Sequence, residues 1–161
     1  MQTKKRIAES GVVQHLFAEP YRYQFVQAVR ILLCWLRQQN VSHAQAFGQV
    51  LRFRNSLSLS FPASEIERLA RDEHEQLTLV PAFMRFLGAS GTLPLHHSQR
   101  IAAYRLSSKD AGVSAFLDIF SHRMVALYYQ ACEKYRLESM LQTQAKDEQL
   151  LLLSALAGVQ R

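Results

Sequence analysis

A chain of 161 residues with 48% hydrophobic and 20% charged residues is long enough to bury a core and ordinary for one globular domain. Lys and Arg number 19 against 13 Asp and Glu, a formal charge of +6, and that basic balance raises nucleic acid or an acidic protein as partners. The arginines are scattered, with no Lys/Arg stripe among exposed aromatics, so a merely basic, solvated surface is favoured over nucleic-acid binding. No run reaches the roughly 18 apolar residues of a membrane span, which argues against direct membrane insertion.

The opening MQTKKRIAESGVVQHLFAEP begins with a positive cluster, but Glu9, Ser10, Gln14 and His15 interrupt the apolar positions that follow, unlike a secretory signal. Residues 1–20 are expected to be a mobile segment and 21–161 a single domain. Tyr21 to Arg37 reads as an amphipathic helix, because Tyr21, Phe25, Ala28, Val29, Leu32, Leu33 and Leu36 follow helical spacing without a miss and Pro20 stands just before it. Val26, Ile31 and Trp35 add apolar surface outside that stripe, so the helix is either central to its own core or part of a bundle with another chain. Cys34 and Cys132 each sit in such helical patterns, which favours buried reduced thiols over a disulfide and fits the cytoplasm.

Asn40 to Gln49 reads as a loop. Leu51 to Phe61 then alternates, with Leu51, Phe53, Leu57, Leu59 and Phe61 on one side and Arg52, Arg54, Ser56, Ser58 and Ser60 on the other, as in a half-buried antiparallel strand. After Pro62, Ser64 and Glu67 have the form of a capping box opening a short helix to about Arg71. Asp72 to Gln76 should be an exposed turn, and Leu77 to Leu87 a second strand weakened by Pro81. Gly88 to Pro94 forms a tight loop, without the GxxxxGK spacing or lysine of a phosphate cradle. Leu95 to Leu106 is a short helix and Ser107 to Gly112 a polar link. Phe116 to Arg136 is the long helix around which the chain is organised. Phe116, Leu117, Phe120, Met124, Val125, Leu127, Tyr128, Ala131, Cys132 and Tyr135 cover about half its wheel, and Asp118, His122, Arg123, Gln130, Glu133, Lys134 and Arg136 the other half. A last apolar helix, Gln149 to Ala157, ends at Gly158. The class is therefore α+β, a helix-dominated domain with long amphipathic helices and a small antiparallel sheet.

Reaction chemistry is sparse. His96 and His97 are adjacent and point about 100° apart on a helix, a poor arrangement for sharing a metal. Asp118 and His122 at i, i+4 could form an acid–imidazole pair, but no nucleophile, third ligand or second carboxylate is identifiable near them, and a structural patch with Arg123 is favoured over catalysis. There is no HExxH, CxxC, GxSxG or Rossmann glycine pattern. No catalytic residue, cofactor site or metal site is assigned, and surplus apolar helix surface favours an interaction protein that self-associates in isolation. The competing readings are a small hydrolase using Asp118 and His122, and a nucleic-acid-binding domain presenting Arg52 and Arg54.

Taken together, FVQAVRILL at 25–33, LRFRNSLSLSFPASEI at 51–66, FMRFLGASGTLPLHH at 83–97 and FLDIFSHRMVALYYQACEKYR at 116–136 resemble the TssG (VasB/ImpH) family, baseplate proteins of type VI secretion systems. The resemblance spans about 20–158 and corresponds to the N-terminal half of the family. Arg85 and Thr92 stand where Gly and Pro are usual, Ser121 where Asn is common, and Cys132 where an aromatic is expected. The resemblance implies a cytoplasmic structural subunit of the baseplate wedge and no enzyme. It also implies two copies of TssF as partner, with TssE and TssK in the full wedge, and Gly88, Gly91, Pro94, Asp118, His122 and Arg123 as fold-holding or interface positions. Phe25, Val29, Leu32, Trp35 and Leu36 are the expected TssF anchors, large side chains of the kind that carry interface energy.

Overall fold

A computed structural model of the protein describes residues 11–72, 76–89, 91–108, 110–134, 136 and 155–158. They group into two compact units, residues 1–126 and 127–161.

In the first unit, helix α1 covers Val12–Ala18 with Leu16 fully buried, so the segment expected to be mobile is helical there, and residues 1–10 lie outside the described residues. A 3-10 turn over Pro20–Arg22 leads into α2, Phe25–Gln38. This helix starts four residues later than its periodicity suggests, because Pro20 to Arg22 make the tighter turn and Gln24 is extended. Its first N–H is capped across the fold: Phe25 N donates to Glu65 Oε2 at 2.7 Å, which sets a carboxylate at the positive end of the helix dipole. Its end is a Schellman turn, with Val41 N donating to Leu36 O and Asn40 N to Arg37 O around Asn40 at φ 65°.

Phe25, Ala28, Val29, Leu32, Trp35 and Leu36 are all buried, none more than 6% exposed. Phe25, Val29, Leu32, Trp35 and Leu36, the expected TssF anchors, are packed in this chain's own core, with Trp35 and Leu36 also lining a cavity. Phe25 packs edge to face on Phe83 at 5.1 Å and tilts against Phe53 at 5.7 Å. Cys34, expected to be buried, is exposed and Cys132 half-buried, both reduced.

The loop expected over 40–49 is ordered by a capping box. Ser42 Oγ accepts from Gln45 N while Gln45 Oε1 accepts from Ser42 N, opening the short helix α3, His43–Gln45, which runs into a π turn over Ala46–Val50. The S-x-x-Q spacing here was the true capping box. The one expected at Ser64 and Glu67 does not form: Ser64 Oγ donates to Ile66 O instead, and Ile66–Arg71 is a strand.

The sheet has the order β1-β3-β2, with β1 Leu51–Phe53, β2 Ile66–Arg71 and β3 Leu77–Pro81. β2 and β3 pair antiparallel, whereas β1 and β3 run parallel, so the sheet is mixed. β1 ends eight residues before the expected Phe61 because the serines turn inward on their own chain. Ser58 N donates to Ser56 Oγ and Ser60 N to Ser58 Oγ, local bonds that compete with a ladder. Leu59 and Phe61 are correspondingly 53% and 88% exposed. β3 is the central strand, buried at Leu77, Leu79, Val80 and Pro81, and Pro81 falls at its last position, where the missing N–H is tolerated. A bulge between Ile66 and Arg68 lets Glu67 turn out of the ladder.

Helix α4 spans Leu95–Ser108, and α5 spans Gly112–Lys134, entering the second unit. In that unit Tyr129 is buried and its hydroxyl donates to Glu133. Of the last expected helix, 149–154 lie outside the described residues, and Gly158 closes the turn after Ala155 with φ 70°. The architecture is α+β and helix-dominated.

Candidate protein interface

β1 lies at the sheet edge, so the N–H groups of Phe53 and Asn55 point away from β3 and need acceptors from elsewhere. Arg54 N, between them, donates to Leu79 O of β3. Helix α5 supplies both acceptors. Asp118 Oδ1 accepts from Asn55 N at 2.7 Å and His122 Nδ1 from Phe53 N at 3.2 Å. The match is geometric: residues i and i+2 of a strand repeat over about 6.7 Å, and residues i and i+4 of a helix over about 6 Å. Two side chains on one helical face thus take the place of a neighbouring strand.

Asn55 ties this contact to the glycine loop. Its Nδ2 donates to Asp118 Oδ1 at 2.9 Å and to Ser121 Oγ at 2.8 Å, and its Oδ1 accepts from Phe86 N at 2.8 Å. The loop is held further by Gly88 N donating to Ser98 Oγ of α4 and Ala89 N to Ser58 O. Gly88 has φ 90°, and a Cβ there would meet the carbonyls of Ser56 and Ser58 at 2.9 Å, so both the backbone and the space require glycine. Gly91 is equally confined, since a Cβ would fall onto the Phe86 carbonyl. Pro94 O accepts from His97 N as α4 begins. Arg85 is buried, with Nη1 on Glu67 Oε2 at 2.7 Å and Nε and Nη2 meeting no acceptor among the described residues. Arg85 and Ser121 are both buried.

His122 uses both ring nitrogens on backbone. Nδ1 accepts, so it carries no proton, and Nε2 donates to Phe47 O at 2.9 Å, a carbonyl in the last turn of the α3/π segment. Burial pushes the imidazole below its ordinary value of 6.5, reinforced by Arg52 and Arg123 and opposed by the Phe47 contact. Asp118 and His122 thus each bond to β1 or its neighbours. A cavity of about 370 Å3 opens away from them, lined in part by Trp35, Val41, Val50, Arg71 and Gln76. His96 and His97 stack on each other at 4.1 Å, and among the described residues no group of His, Cys, Asp and Glu could hold a metal.

Turning Asp118 and His122 inward leaves much of the apolar side of α5 outward. Ser121, Val125 and Ala126 are buried, while Val113 is 46%, Phe116 57%, Ile119 66%, Phe120 48% and Met124 46% exposed. At 100° per residue Val113, Phe116, Phe120 and Met124 span about 80° opposite Asp118 and His122. Phe116 and Phe120 pack edge to face at 5.1 Å. Arg123 is exposed on this same side, beside Ile119. Asn55, Ser98 and Ile119 were not singled out in the sequence. Asn55 could have been noticed as an amide set among arginines and serines in an alternating run.

The family model described as "Type VI secretion, TssG" matches residues 19–161. The chain belongs to the TssG family. TssG proteins are structural subunits of the type VI secretion baseplate, and membership in such an assembly implies protein partners. No curated protein and no solved structure matches the chain. Among the described residues of this TssG member, no helix is long and apolar enough to cross a membrane.

Proposed function

We propose that the chain is a cytoplasmic scaffold of the baseplate wedge that binds TssF, in two copies, with TssK and TssE as further neighbours in the assembled contractile tail. The observation that carries this reading is the outward apolar stripe of α5, held in place by the polar contacts of Asp118 and His122. Asp118 Oδ1 and both ring nitrogens of His122 bond to this chain's own backbone, which is the chemistry of a clasp and favours contact as the work of the protein. On this reading the TssF surface is the outward stripe of α5. Five large apolar side chains, each about half exposed, would contribute on the order of 5 kcal/mol of gross hydrophobic stabilisation on full burial, at about 1.5–3 kcal/mol per whole side chain. That is within the range needed to offset the entropy of association.

Co-expression with TssF tests this. The chain is expected to co-purify with TssF through size exclusion as a complex larger than either alone. Elution of the two as separate species, with the chain folded by circular dichroism, would sink the proposal.

A further inference from the structure

We propose that α5 is fastened to β1 by a latch that a proton opens: once His122 is protonated, residues 112–126 of the helix leave the sheet edge while the sheet and α2 stay folded. The attachment is mostly polar. Over 112–126 the buried side chains of α5 are Ser121, Val125 and Ala126, whereas α2 buries Phe25, Ala28, Val29, Leu32, Trp35 and Leu36. An element with so few buried apolar contacts opens at a lower free energy than the core beside it. What holds it are the bonds from Asn55 N and Nδ2 to Asp118 Oδ1, from Asn55 Nδ2 to Ser121 Oγ, from Phe53 N to His122 Nδ1 and from His122 Nε2 to Phe47 O. The two histidine bonds admit one protonation state. Phe53 N can only donate, so Nδ1 must offer its lone pair, and an imidazolium, with N–H on both nitrogens, sets donor against donor across 3.2 Å. The surroundings do not rescue the cation. Burial disfavours it, Arg52 of β1 and Arg123 of α5 repel it, and the Phe47 carbonyl opposes them. His43 of α3, edge to face on Phe47, brings no negative charge, and Asp118, the carboxylate one turn away on α5, already accepts both Asn55 donors at Oδ1. With α5 off the sheet, the ring stands in water and takes a proton at its ordinary value of 6.5, so acid favours the open form.

The alternation of β1 supplies the readout. The N–H groups of Phe53 and Asn55 are satisfied by α5, and that of Arg54 between them by Leu79 O of β3. Amide hydrogen exchange of the full chain is followed by NMR between about pH 7.5 and about pH 5.5, corrected for the intrinsic pH dependence of exchange. The opening constant at Phe53 and Asn55 should rise by about three- to tenfold toward acid, while those at Arg54 and at Val29 and Leu32 of α2 change by less than about twofold. His122→Gln, which takes up no proton in this range, should hold all of these amides level. Equal loss of protection at Phe53, Arg54 and Asn55 means that the sheet opens as a whole, and it overturns the latch. So does an opening constant at Phe53 that changes by less than about twofold in the wild type. The same acid response in folded His122→Gln assigns the proton to another group and overturns it too. Should that variant fail to fold, the contrast between neighbouring amides in the wild type decides.

Discussion

Replacing Asn55 by alanine removes one side chain from the junction of β1, the glycine loop and α5. Three hydrogen bonds go with it, to Asp118, to Ser121 and from Phe86 N. The bond to the carboxylate is worth about 1.5 kcal/mol at a part-buried site and the neutral ones about 1 kcal/mol each, so the loss is about 3.5 kcal/mol. Ser121 is only 3% exposed, so little solvent can replace its lost donor. For a domain of this size the melting temperature should fall by roughly 7–14 °C. Urea unfolding followed by circular dichroism, with the slope held common, measures the difference. Asn55→Asp separates the role of the amide from its volume: it sets a second carboxylate against Asp118 and should be worse than alanine at pH 7. Its deficit relative to the wild type should shrink toward pH 5 as one carboxyl takes up a proton. A change below about 1 kcal/mol in Asn55→Ala would refute the view that this amide joins the three segments.

Other perturbations probe the same fold. His122 is neutral when folded and its pKa is lowered, so as pH falls through 6.5 the unfolded chain binds the proton first. Stability should be flat above about pH 7.5 and then decline with a limiting slope of about 1.4 kcal/mol per pH unit until the folded pKa is reached. His122→Gln, which keeps an acceptor and a donor, should show a shallower decline in the same titration. Gly88→Ala should cost about 2 kcal/mol or more by chemical denaturation, from a strained φ and contact with two carbonyls. Glu67→Ala, which strands the buried Arg85 guanidinium, should destabilise by about 3 kcal/mol, whereas Arg85→Met should fall within about 1 kcal/mol of the wild type, both read from urea midpoints. Leu32→Asp, at a fully buried site, should abolish the cooperative thermal transition.

The parts of the fold readable in sequence were those set by local periodicity. α2 and α5 follow a 3.6-residue repeat strong enough to locate them, and the glycine loop announced itself through Gly88. The misreadings share a physical cause: a residue's partner lay far along the chain. Ser64 and Glu67 have the spacing of a cap, yet Glu67 is claimed by Arg85 and Ser56, and the segment pairs with β3. The serines after β1 alternate like a strand's wet face but bond their own backbone. Periodicity showed that α5 has two faces without showing which one is inside. That choice was made by the N–H groups of Phe53 and Asn55, which require acceptors that no leucine or phenylalanine can give. α2 carries the same ambiguity: its stripe is as apolar as a docking surface and packs through Phe25 against Phe53 and Phe83.

Because β1 is closed by side-chain atoms in place of another strand, the two sides of α5 answer to separate demands. Substitution at Asp118 or His122 is judged by whether the polypeptide folds, while substitution at the exposed Phe116, Ile119 or Phe120 leaves that junction untouched. On the proposed function, contacts with a partner can therefore change along one helix, residue by residue, with the architecture beneath it left intact.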